Sequence, residues 1–593
     1  MRRYTGRVAY DEWMGGTVKL AEALSILRKA PAEGAPLKVL LACGFTPLHL
    51  QNFLAAHLQQ TNSDRKVEIS VGLFEDIPGT LKLLGNEGVQ SGALVLEWSD
   101  LDSRLGYRHL GGWGQRVVPN ILENVKARLK RFESLIGDIP SSATLAVSLP
   151  TLSLPPGFHT AGWQVSEAEL ALHELAVNFG RNLAAHPSVA IVNEQRLDAD
   201  SPFSARYDFR ADLNTGFPYS LPHAEVLARA LAALLIPRRA KKGLITDLDD
   251  TLWAGLIGEV GHEQVSWDLA SHTQYHGLYQ QMLGALADQG VLIAIASKNT
   301  AEIAQKGLAR TDLMISGEKI FPIEIHWEPK SGSVSRILKA WNIGADSVVF
   351  VDDSPMELAE VQATHPDVEC LLFPKSDYQA GFAFLQKLRD LFGKPRLSEE
   401  DSFRLQSIRH GQQFQQATEG GDSTEQLLAA ADAHLLLEYN PPASDKRVVE
   451  LVNKTNQFNL NGLRFTDGEW HEPAGDPNTI TLAVTYQDKF GPLGKIAVVR
   501  GTKENSAVRI NAWVMSCRAF SRRIEHQTLL QLFERYAAET IAFDFAPTPK
   551  NKPIADFLRD LLNEEPVSGI VLTREKFNEK LPKLYHQVLN KNG

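Results

Sequence analysis

The stretch GLITDLDDT (243–251) decides the central fold of this chain. Its first four residues predict a short buried strand, and Asp247 and Asp249 follow where that strand ends. Because the chain curls at a strand end, both carboxylates can approach one cation. Asp247 can then attack a phosphorus atom while Asp249 supplies or removes a proton, with Mg²⁺ neutralising the phosphoryl oxygens. Taken alone the pattern is modest, since acidic loops at strand ends are common.

Polar residues of matching chemistry follow downstream. Ser297 ends the stretch VLIAIAS, Asp352 and Asp353 end SVVFVDD, and Lys330 lies within HWEPKSG. A hydroxyl can hold a phosphate oxygen, an ammonium can cancel charge on the nucleophile and the phosphoryl group, and the aspartates can complete a metal site. Open α/β sheets build their sites at such strand ends. The order of these positions therefore predicts a phosphoryl-transfer site.

The spacing of these residues predicts a site with almost no cap. Only 45 residues separate Thr251 from Ser297, and 32 separate Ser297 from Lys330. The helices and strands of the sheet use most of both segments. An uncapped site admits bulky substrates or is closed by something else, such as a flanking domain or the arm of a carrier protein.

Four stretches resemble the motifs of the haloacid dehalogenase (HAD) phosphotransferase superfamily. They are DLDDTLWAGLIGEVG, IASKNT, HWEPKSGSV and FVDDSPMELAEV, and their wider text is similar to the FkbH-like branch of that superfamily. The resemblance covers residues 243–593 well and residues 1–236 loosely. It implies a Rossmann-like parallel sheet with a minimal cap.

The resemblance also implies roles for individual residues. Asp247 is the expected nucleophile and Asp249 the expected acid/base, with Ser297 and Lys330 as further catalytic residues. Mg²⁺ is expected on Asp247, the Asp249 carbonyl and Asp353, with Asp352 as a neighbouring support. The substrate contacts expected near these motifs are Thr251, Trp253, Lys298 and Asn299.

For the whole protein the FkbH-like branch implies a phosphatase/acyltransferase of polyketide-type biosynthesis. The enzyme removes phosphate from 1,3-bisphosphoglycerate, a small phosphorylated three-carbon substrate, and delivers the glyceryl group to the phosphopantetheine thiol of an acyl carrier protein. Three alternatives stay open: a plain HAD phosphatase acting on a small phosphate ester, an acyltransferase with a different acyl donor, and a non-catalytic assembly protein.

The last part of the chain resembles a GNAT acyltransferase domain of α+β type. NKTNQFNLNG (453–462) is rich in amides, and WVMSCRAFSRRIEHQTLLQLF (513–533) predicts strand, loop and helix, with an anion site at the helix start. Ser521 and Arg523 stand where glycines are expected, which puts acyl-CoA binding in doubt. The predicted binding residues are Asn456, Gln457, Asn459, Arg518 and Arg522. Well-capped loops and a solvated basic turn are the structural alternatives.

Cys517 closes the predicted strand beside these arginines. Nearby cations and a helix start lower the pKa of a thiol, which favours an acyl-thioester relay at this cysteine. A buried, small apolar side chain is the alternative. Both interpretations stay open from the sequence.

The first 236 residues predict a parallel α/β domain. The strands KVLLAC, ALVLEW, ATLAVSLP and VAIVNE alternate with helical stretches, and PHAEVLARALAALLI predicts the closing helix. The pattern resembles an SGNH hydrolase, but the first loop, CGFTPLH, has no serine, and Ser220 replaces the aspartate expected three residues before His223. We therefore expect a degenerate domain that binds or docks. The loop WSDLDSRLGYR (98–108) is a partner contact or an ion-paired loop.

Four segments are predicted along the 593 residues: an SGNH-like domain (1–236), a HAD-like domain (243–395), a helical connector (396–429) and a GNAT-like domain (430–593). The net charge of −10 argues against general nucleic-acid binding. No apolar run reaches 18 residues, so no membrane span is expected. The N-terminal start lacks an apolar signal core, and the three cysteines form no CxxC pair. We expect a soluble, cytoplasmic protein.

Overall fold

The computed structural model describes residues 17–591 apart from short gaps. The gaps are 32–35, 63–64, 87–88, 111, 141–142, 158–159, 237–238, 395–396, 398–400, 402–403, 410–423, 443–444, 456, 466–469, 471–477, 490 and 517–518. The chain forms two compact units, residues 1–238 and 239–593. Each unit has hydrophobic clusters of its own.

The first unit is built on one parallel sheet of five strands in the order β2-β1-β3-β4-β5. The strands are β1 Leu37–Ala42, β2 Val67–Val71, β3 Ser91–Val95, β4 Thr144–Ser148 and β5 Val189–Ile191. The helices are Leu20–Arg28, Leu48–Thr61, Ile77–Leu81, Trp98–Leu101, Val118–Gly137, Glu167–Ala184, Glu194–Asp200, Phe209–Thr215 and Leu221–Leu235.

Apolar runs explain this sheet. The middle strands β1, β3 and β4 bury four consecutive residues each, as expected where helices cover both faces of a parallel sheet. The four strands predicted from the sequence and the closing helix Leu221–Leu235 are confirmed. Val67–Val71 was missed because, at the sheet edge, its central residues are only partly buried and its apolar pattern is weak.

A second parallel sheet of five strands lies in the second unit, in the order β10-β9-β6-β7-β8. Its strands are β6 Gly243–Thr246, β7 Leu292–Ser297, β8 Ile320–Ile325, β9 Val348–Asp352 and β10 Glu369–Leu372. The helices are Ile257–Val260, Gln274–Asp288, Ala301–Leu308, Lys330–Trp341, Pro355–Thr364 and Tyr378–Phe392.

The three central strands of this sheet are buried along their whole length. Residues 239–394 are described without a gap, and this range contains no inserted domain between Thr251 and Ser297 or between Ser297 and Lys330. Only the excursion before the helix Gln274–Asp288 extends beyond the core pattern, with one short helix and an isolated bridge from Ala254 to Ser266. The spacing argument for a minimal cap agrees with these elements.

A third sheet, of mixed direction, follows in the same unit. Its main path is β17-β16-β15-β14-β13-β11-β18, and β12 pairs with β15. The strands are β11 His434–Tyr439, β12 Phe458–Asn459, β13 Thr479–Asp488, β14 Gly491–Glu504, β15 Ala507–Met515, β16 Thr540–Asp544, β17 Ser568–Thr573 and β18 Gln587–Lys591. The helices are Thr424–Ala429, Lys446–Lys454, Ile524–Arg535, Lys552–Leu562 and Arg574–Lys580.

The described residues thus form three sheets within two compact units. The mixed α/β character expected from the sequence is confirmed. The three-domain layout and its boundaries stay a prediction, and most of the predicted connector 396–429 lies outside the described residues. Among the helices that the structure describes, none combines the length and apolar character needed to cross a membrane.

Candidate active site

The order of the second sheet gathers the predicted site residues at one edge. Strand β6 lies between β9 and β7, so the residues that follow these three parallel strands meet at their carboxyl ends. Asp247 follows β6, Ser297 ends β7, and Asp352 ends β9. Lys330 is the first residue of the helix Lys330–Trp341. Its long side chain reaches the same point.

Lys330 bridges two buried carboxylates. Its Nζ lies 2.8 Å from Oδ2 of Asp247 and 2.6 Å from Oδ2 of Asp352, and all three side chains are at least nine-tenths buried. With every group charged, the cluster carries one net negative charge. Burial raises the pKa of Asp352 to about 6, and the neighbouring Asp247 carboxylate adds to the rise. Burial lowers the pKa of Lys330, but the two carboxylates outweigh it and leave that pKa raised.

Asp247 keeps one oxygen for chemistry. Its Oδ1 is buried and has no hydrogen-bond partner among the described residues. Burial raises the pKa of Asp247, against the opposing effects of Lys330 and Ser297. A buried carboxylate oxygen without a donor is costly. A cation or an electrophilic phosphorus that takes this oxygen removes the cost.

The same place fits a divalent cation. Carboxylate oxygens of Asp247, Asp352 and Asp353 lie within 4.8 Å of one another. Both oxygens of Asp352 are already engaged, one by Lys330 and one by the backbone N–H of Ser354 at 2.9 Å. Asp247 and Asp353 are therefore the better placed ligands, and Asp352 positions the lysine. Hard carboxylate oxygens on a net negative cluster suit Mg²⁺.

Asp249 is held by three donors, two from the segment after the motif and one from the loop after β7. Its Oδ1 accepts hydrogen bonds from the Trp253 indole at 2.8 Å and from the Ile257 backbone N–H at 3.1 Å. Its Oδ2 accepts one from Asn299 Nδ2 at 3.0 Å. These bonds fix the side chain while Oδ2 retains room for a second partner.

The residues predicted to contact substrate fall into two groups. Thr251 and Trp253 are fully buried, and Asn299 is nearly so. Trp253 and Asn299 reach Asp249, so in this structure they act as positioning residues. Lys298 is partly exposed and pairs with Glu357 at 2.7 Å. A direct substrate contact by any of the four stays a prediction.

Sequence reasoning missed a second lysine bridge. Lys375 Nζ lies 2.9 Å from Asp250 Oδ2 and 2.8 Å from Asp353 Oδ2. Asp250 adopts a left-handed backbone (φ 51°), which turns the loop after β6. The signal was a lysine two residues after the apolar run VECLLF (368–373), whose strand β10 pairs with β9. Without that pairing, nothing in the sequence brings Lys375 to Asp353.

The predicted binding residues of the third sheet serve local structure where they are described. Asn459 is buried, and its Oδ1 accepts the N–H of Gly462 at 2.7 Å, which shapes the loop. Arg522 is buried, 3.5 Å from Asp488 and over the ring of Tyr486. Gln457 is exposed. Asn456, Cys517 and Arg518 lie outside the described residues, and their roles stay predictions.

The loop before helix Ile524–Arg535 has the backbone shape that glycines favour. Ser521 and Arg523 both have positive φ, 63° and 58°. Two non-glycine residues thus accept a left-handed conformation that disfavours side chains. The sequence marked both positions because glycines were expected there.

In the first unit, the residues at the positions expected for an SGNH triad make local structural contacts. His223 is fully buried, with its ring nitrogens 2.9 Å from the hydroxyls of Thr151 and Ser201. Burial, together with Arg206, lowers its pKa to about 3, so it is a poor proton acceptor. Ser220 caps the closing helix through the N–H of His223. Burial raises the pKa of Cys43 far above the range of a nucleophile.

His223 gives the first unit a predictable pH dependence. A histidine with a lowered pKa stabilises the fold above the ordinary value of 6.5, and that contribution is lost as pH falls toward 3. We expect the advantage of wild type over His223→Gln in free energy of unfolding to shrink by about 3 kcal/mol between pH 7 and pH 4. Denaturant unfolding at both pH values checks this. A constant difference between the two proteins would contradict it.

Trp253→Phe tests the positioning of Asp249. An aromatic ring is kept, although a smaller one, and Asp249 loses its indole donor. We expect kcat to fall about tenfold with KM changed less than about twofold, measured with acetyl phosphate. Trp327→Phe, at a side chain 71% exposed, is the matched control. A rise in KM at unchanged kcat would instead assign Trp253 to substrate binding, as the sequence predicted.

Comparison with known proteins supports the fold of this site. No family model matches the chain, and no curated protein matches it. Among solved structures, the N-terminal part of the protein BF1531 from Bacteroides fragilis, which contains a phosphatase domain and was crystallised in complex with Mg, is similar, with a TM-score of 0.51 and 19% sequence identity. The similarity covers 64% of this chain and 99% of that chain. This chain therefore shares its fold with that phosphatase-domain structure.

Proposed function

We propose that the protein is a Mg²⁺-dependent phosphohydrolase of HAD type that works through Asp247. The observation that carries the proposal is the buried Oδ1 of Asp247, which lies beside Lys330 and has no hydrogen-bond partner in the described part of the chain. Asp247 attacks phosphorus, the P–O bond to the leaving group breaks, and Asp249 gives that group a proton. Water then attacks phosphorus in the aspartyl phosphate, the P–O bond to Asp247 breaks, and phosphate leaves while Asp249 takes the proton of the water.

The other residues of the cluster support these two steps. Lys330 offsets charge on Asp247 and on the phosphoryl oxygens, and Ser297 holds one of those oxygens. Asp247 and Asp353 would hold Mg²⁺, which when bound supplies further neutralisation of the phosphoryl charge. Trp253 and Asn299 keep Asp249 in place for proton transfer.

For the substrate we propose 1,3-bisphosphoglycerate or a similar acyl phosphate, with an acyl carrier protein as acceptor. The resemblance to FkbH-like proteins and the small cap support this choice. Two reactions are required. Asp247 hydrolyses the phosphate ester, and the phosphopantetheine thiol attacks the acyl carbon with loss of the second phosphate. Direct attack by the arm and relay through Cys517 are both compatible with this scheme.

Intact-mass spectrometry tests the proposal. The full chain is incubated with Mg²⁺, 1,3-bisphosphoglycerate generated in situ and a phosphopantetheinylated carrier protein, beside Asp247→Asn and Cys517→Ala. A glyceryl mass on the carrier that is absent with Asp247→Asn supports the transferase. An adduct on the enzyme that disappears with Cys517→Ala places the relay there. Phosphate release without carrier loading favours a plain phosphatase on a small ester.

Loss of metal is expected to abolish phosphate release. We expect EDTA to remove activity, because without metal the negative charge of the cluster is not neutralised. Added Mg²⁺ should restore activity. Mg²⁺ at 100 times its Kd should also stabilise the fold by about 2.7 kcal/mol, read as a rise in Tm. Asp353→Asn should remove most of that rise. A wild-type Tm that does not change when Mg²⁺ is added would contradict the assigned metal site.

A further inference from the structure

The first unit contains a pocket that the proposed chemistry does not use. It has a volume of about 540 Å³ and opens at the carboxyl ends of β1, β3 and β4, next to Gly44, Trp98 and Leu152. Tyr107 and Tyr207 line it as a stacked pair with ring centroids 5.2 Å apart. Open α/β sheets bind ligands at this edge.

Two groups near the pocket that could serve hydrolysis are occupied by the protein itself. Cys43 is buried, and its Sγ donates to the Phe45 carbonyl at 3.3 Å. His223 has hydroxyl partners on both ring nitrogens, as described above. Neither is poised to act as nucleophile or base. The case for this pocket is therefore made on binding of a ligand.

The carboxylates that line the pocket are mostly engaged by the protein itself. Glu97 accepts hydrogen bonds from Thr151 Oγ1 at 2.6 Å and from the Tyr219 hydroxyl at 2.7 Å. Asp102 pairs with Arg104 at 2.6 Å. Three further acids line it: Asp100 accepts the backbone N–H of Glu97, Asp212 accepts the Tyr207 hydroxyl, and Glu75 lies at its exposed edge.

The two cations of the lining keep donors for a ligand. Arg128, from the helix Val118–Gly137, lines the pocket and interacts electrostatically with Asp100, but its Nε is buried with no acceptor among the described residues. Arg108 is exposed and is anchored by one nitrogen to the Asp212 carbonyl. Residues 103–122 carry three arginines and one histidine without a single acid. This is a basic strip in an acidic chain, and it favours an anionic ligand.

The size of the pocket selects among anions. Pockets of about 300–1,000 Å³ hold drug-sized ligands, so 540 Å³ is far more than a three-carbon phosphate fills. Two arginines match a phosphate group, which carries two negative charges, better than they match a carboxylate, which carries one. We propose that this pocket binds an extended organic phosphate ester, with Arg128 and Arg108 at its phosphate and Tyr107 and Tyr207 along its chain.

One source of such a ligand is the phosphopantetheine arm of a carrier protein, and another is a free phosphate ester. The choice of the arm as first probe rests on the proposed carrier-loading function. The proposal that the pocket binds a phosphate ester does not depend on that function. The test is calorimetric titration of the full chain with 4′-phosphopantetheine, with pantetheine, which lacks the phosphate, and with 3-phosphoglycerate. We expect phosphopantetheine to bind at least tenfold more tightly than either of the others.

Variants locate the binding. Arg128→Gln should weaken phosphopantetheine binding at least tenfold, and the exposed Arg108→Gln should weaken it about threefold or more without any risk to the core. Arg131→Gln, on the exposed side of the same helix, is the matched control and should bind as wild type. Wild-type affinity in both pocket variants, or no saturable binding up to about 1 mM, overturns the proposal.

The outcomes separate this proposal from the proposed function. Asp247→Asn, which lies in the other unit, should bind phosphopantetheine as wild type does. Binding of phosphopantetheine without any phosphate release would contradict the phosphohydrolase function and support the pocket assignment. Mg²⁺-dependent phosphate release without such binding would support the function and contradict the pocket assignment. Tighter binding of 3-phosphoglycerate than of phosphopantetheine would replace the arm by a free metabolite.

Discussion

Asp247→Asn is expected to lower phosphate release by roughly 10³-fold or more, because the substitution removes the attacking oxygen. The shape of the side chain is nearly unchanged. Asparagine is a far weaker nucleophile, and Asp352, the carboxylate that shares Lys330 with Asp247, is not free to replace it. Asp352 has both oxygens engaged by Lys330 and by the Ser354 backbone.

The same substitution should not harm the fold. Wild type buries two carboxylates around one ammonium, so without metal the cluster carries an excess negative charge. Asp247→Asn leaves Lys330 and Asp352 as a one-to-one pair. We therefore expect a Tm at pH 7 without Mg²⁺ that equals or exceeds that of wild type.

Activity and Tm are measured on the same preparation, with acetyl phosphate as substrate. Asp367→Asn, an exposed aspartate of the same unit, is the control and should change neither quantity. Residual activity within tenfold of wild type would remove Asp247 from the reaction. A large drop in Tm would show that the charge account of the cluster is wrong.

Three of the predicted site residues are placed by strand ends alone. Asp247, Ser297 and Asp352 each follow or end a buried apolar run, and the order of parallel strands brings such ends together. This needs no knowledge of side-chain packing. The expected sheet and the small cap follow from the same apolar runs and their spacing.

What the sequence could not supply depends on contacts across the fold. Lys375 reaches Asp353 only because β10 pairs with β9. Trp253 and Asn299 fall in the motif text that suggested substrate contacts, yet both point to Asp249. Which group a side chain contacts is set by packing in the folded protein. Periodicity indicates only the face of the element on which the side chain lies.

Two arginine-rich regions show that the sequence alone does not decide which arginines are available to a ligand. The motif around Arg522 suggested an anion site, but the side chain is buried beside Asp488. The loop around Arg108 gave no decision between an ion-paired loop and a partner contact. The structure shows an ion pair in this loop, between Arg104 and Asp102, and Arg108 borders the pocket, while a contact with a partner stays a prediction.

Lys330→Met is expected to be the most destabilising change in the active site. Methionine keeps much of the length and flexibility of lysine, but Asp247 and Asp352 are then buried face to face without a cation. Removing one partner of a buried ion pair leaves an uncompensated charge and costs about 3–5 kcal/mol. We expect a loss of that order in free energy of unfolding at pH 7 without Mg²⁺, together with loss of phosphate release.

The pH dependence identifies the cause of this loss. Without Lys330 the folded-state pKa values of the two carboxyls rise further, starting from about 6 for Asp352. An acid with a raised pKa keeps its full contribution to stability below its unfolded value and loses it as pH rises through the folded value. The defect of Lys330→Met should therefore nearly vanish at pH 4 and be largest above pH 7. A defect that is equal at both pH values would indicate lost packing instead.

The double variant separates charge from shape. Adding Asp247→Asn to Lys330→Met leaves one buried carboxyl with no like charge opposite it, so it should recover much of the lost stability while activity stays absent. Lys306→Met, whose partner Glu302 is exposed on a helix surface, is the control and should cost less than about 1 kcal/mol. Denaturant unfolding of wild type, the two single variants and the double variant gives the coupling energy between Asp247 and Lys330 directly. A coupling near zero would mean that the two side chains do not sense each other's charge, and the account of Asp247 as a nucleophile steadied by Lys330 would have to be abandoned.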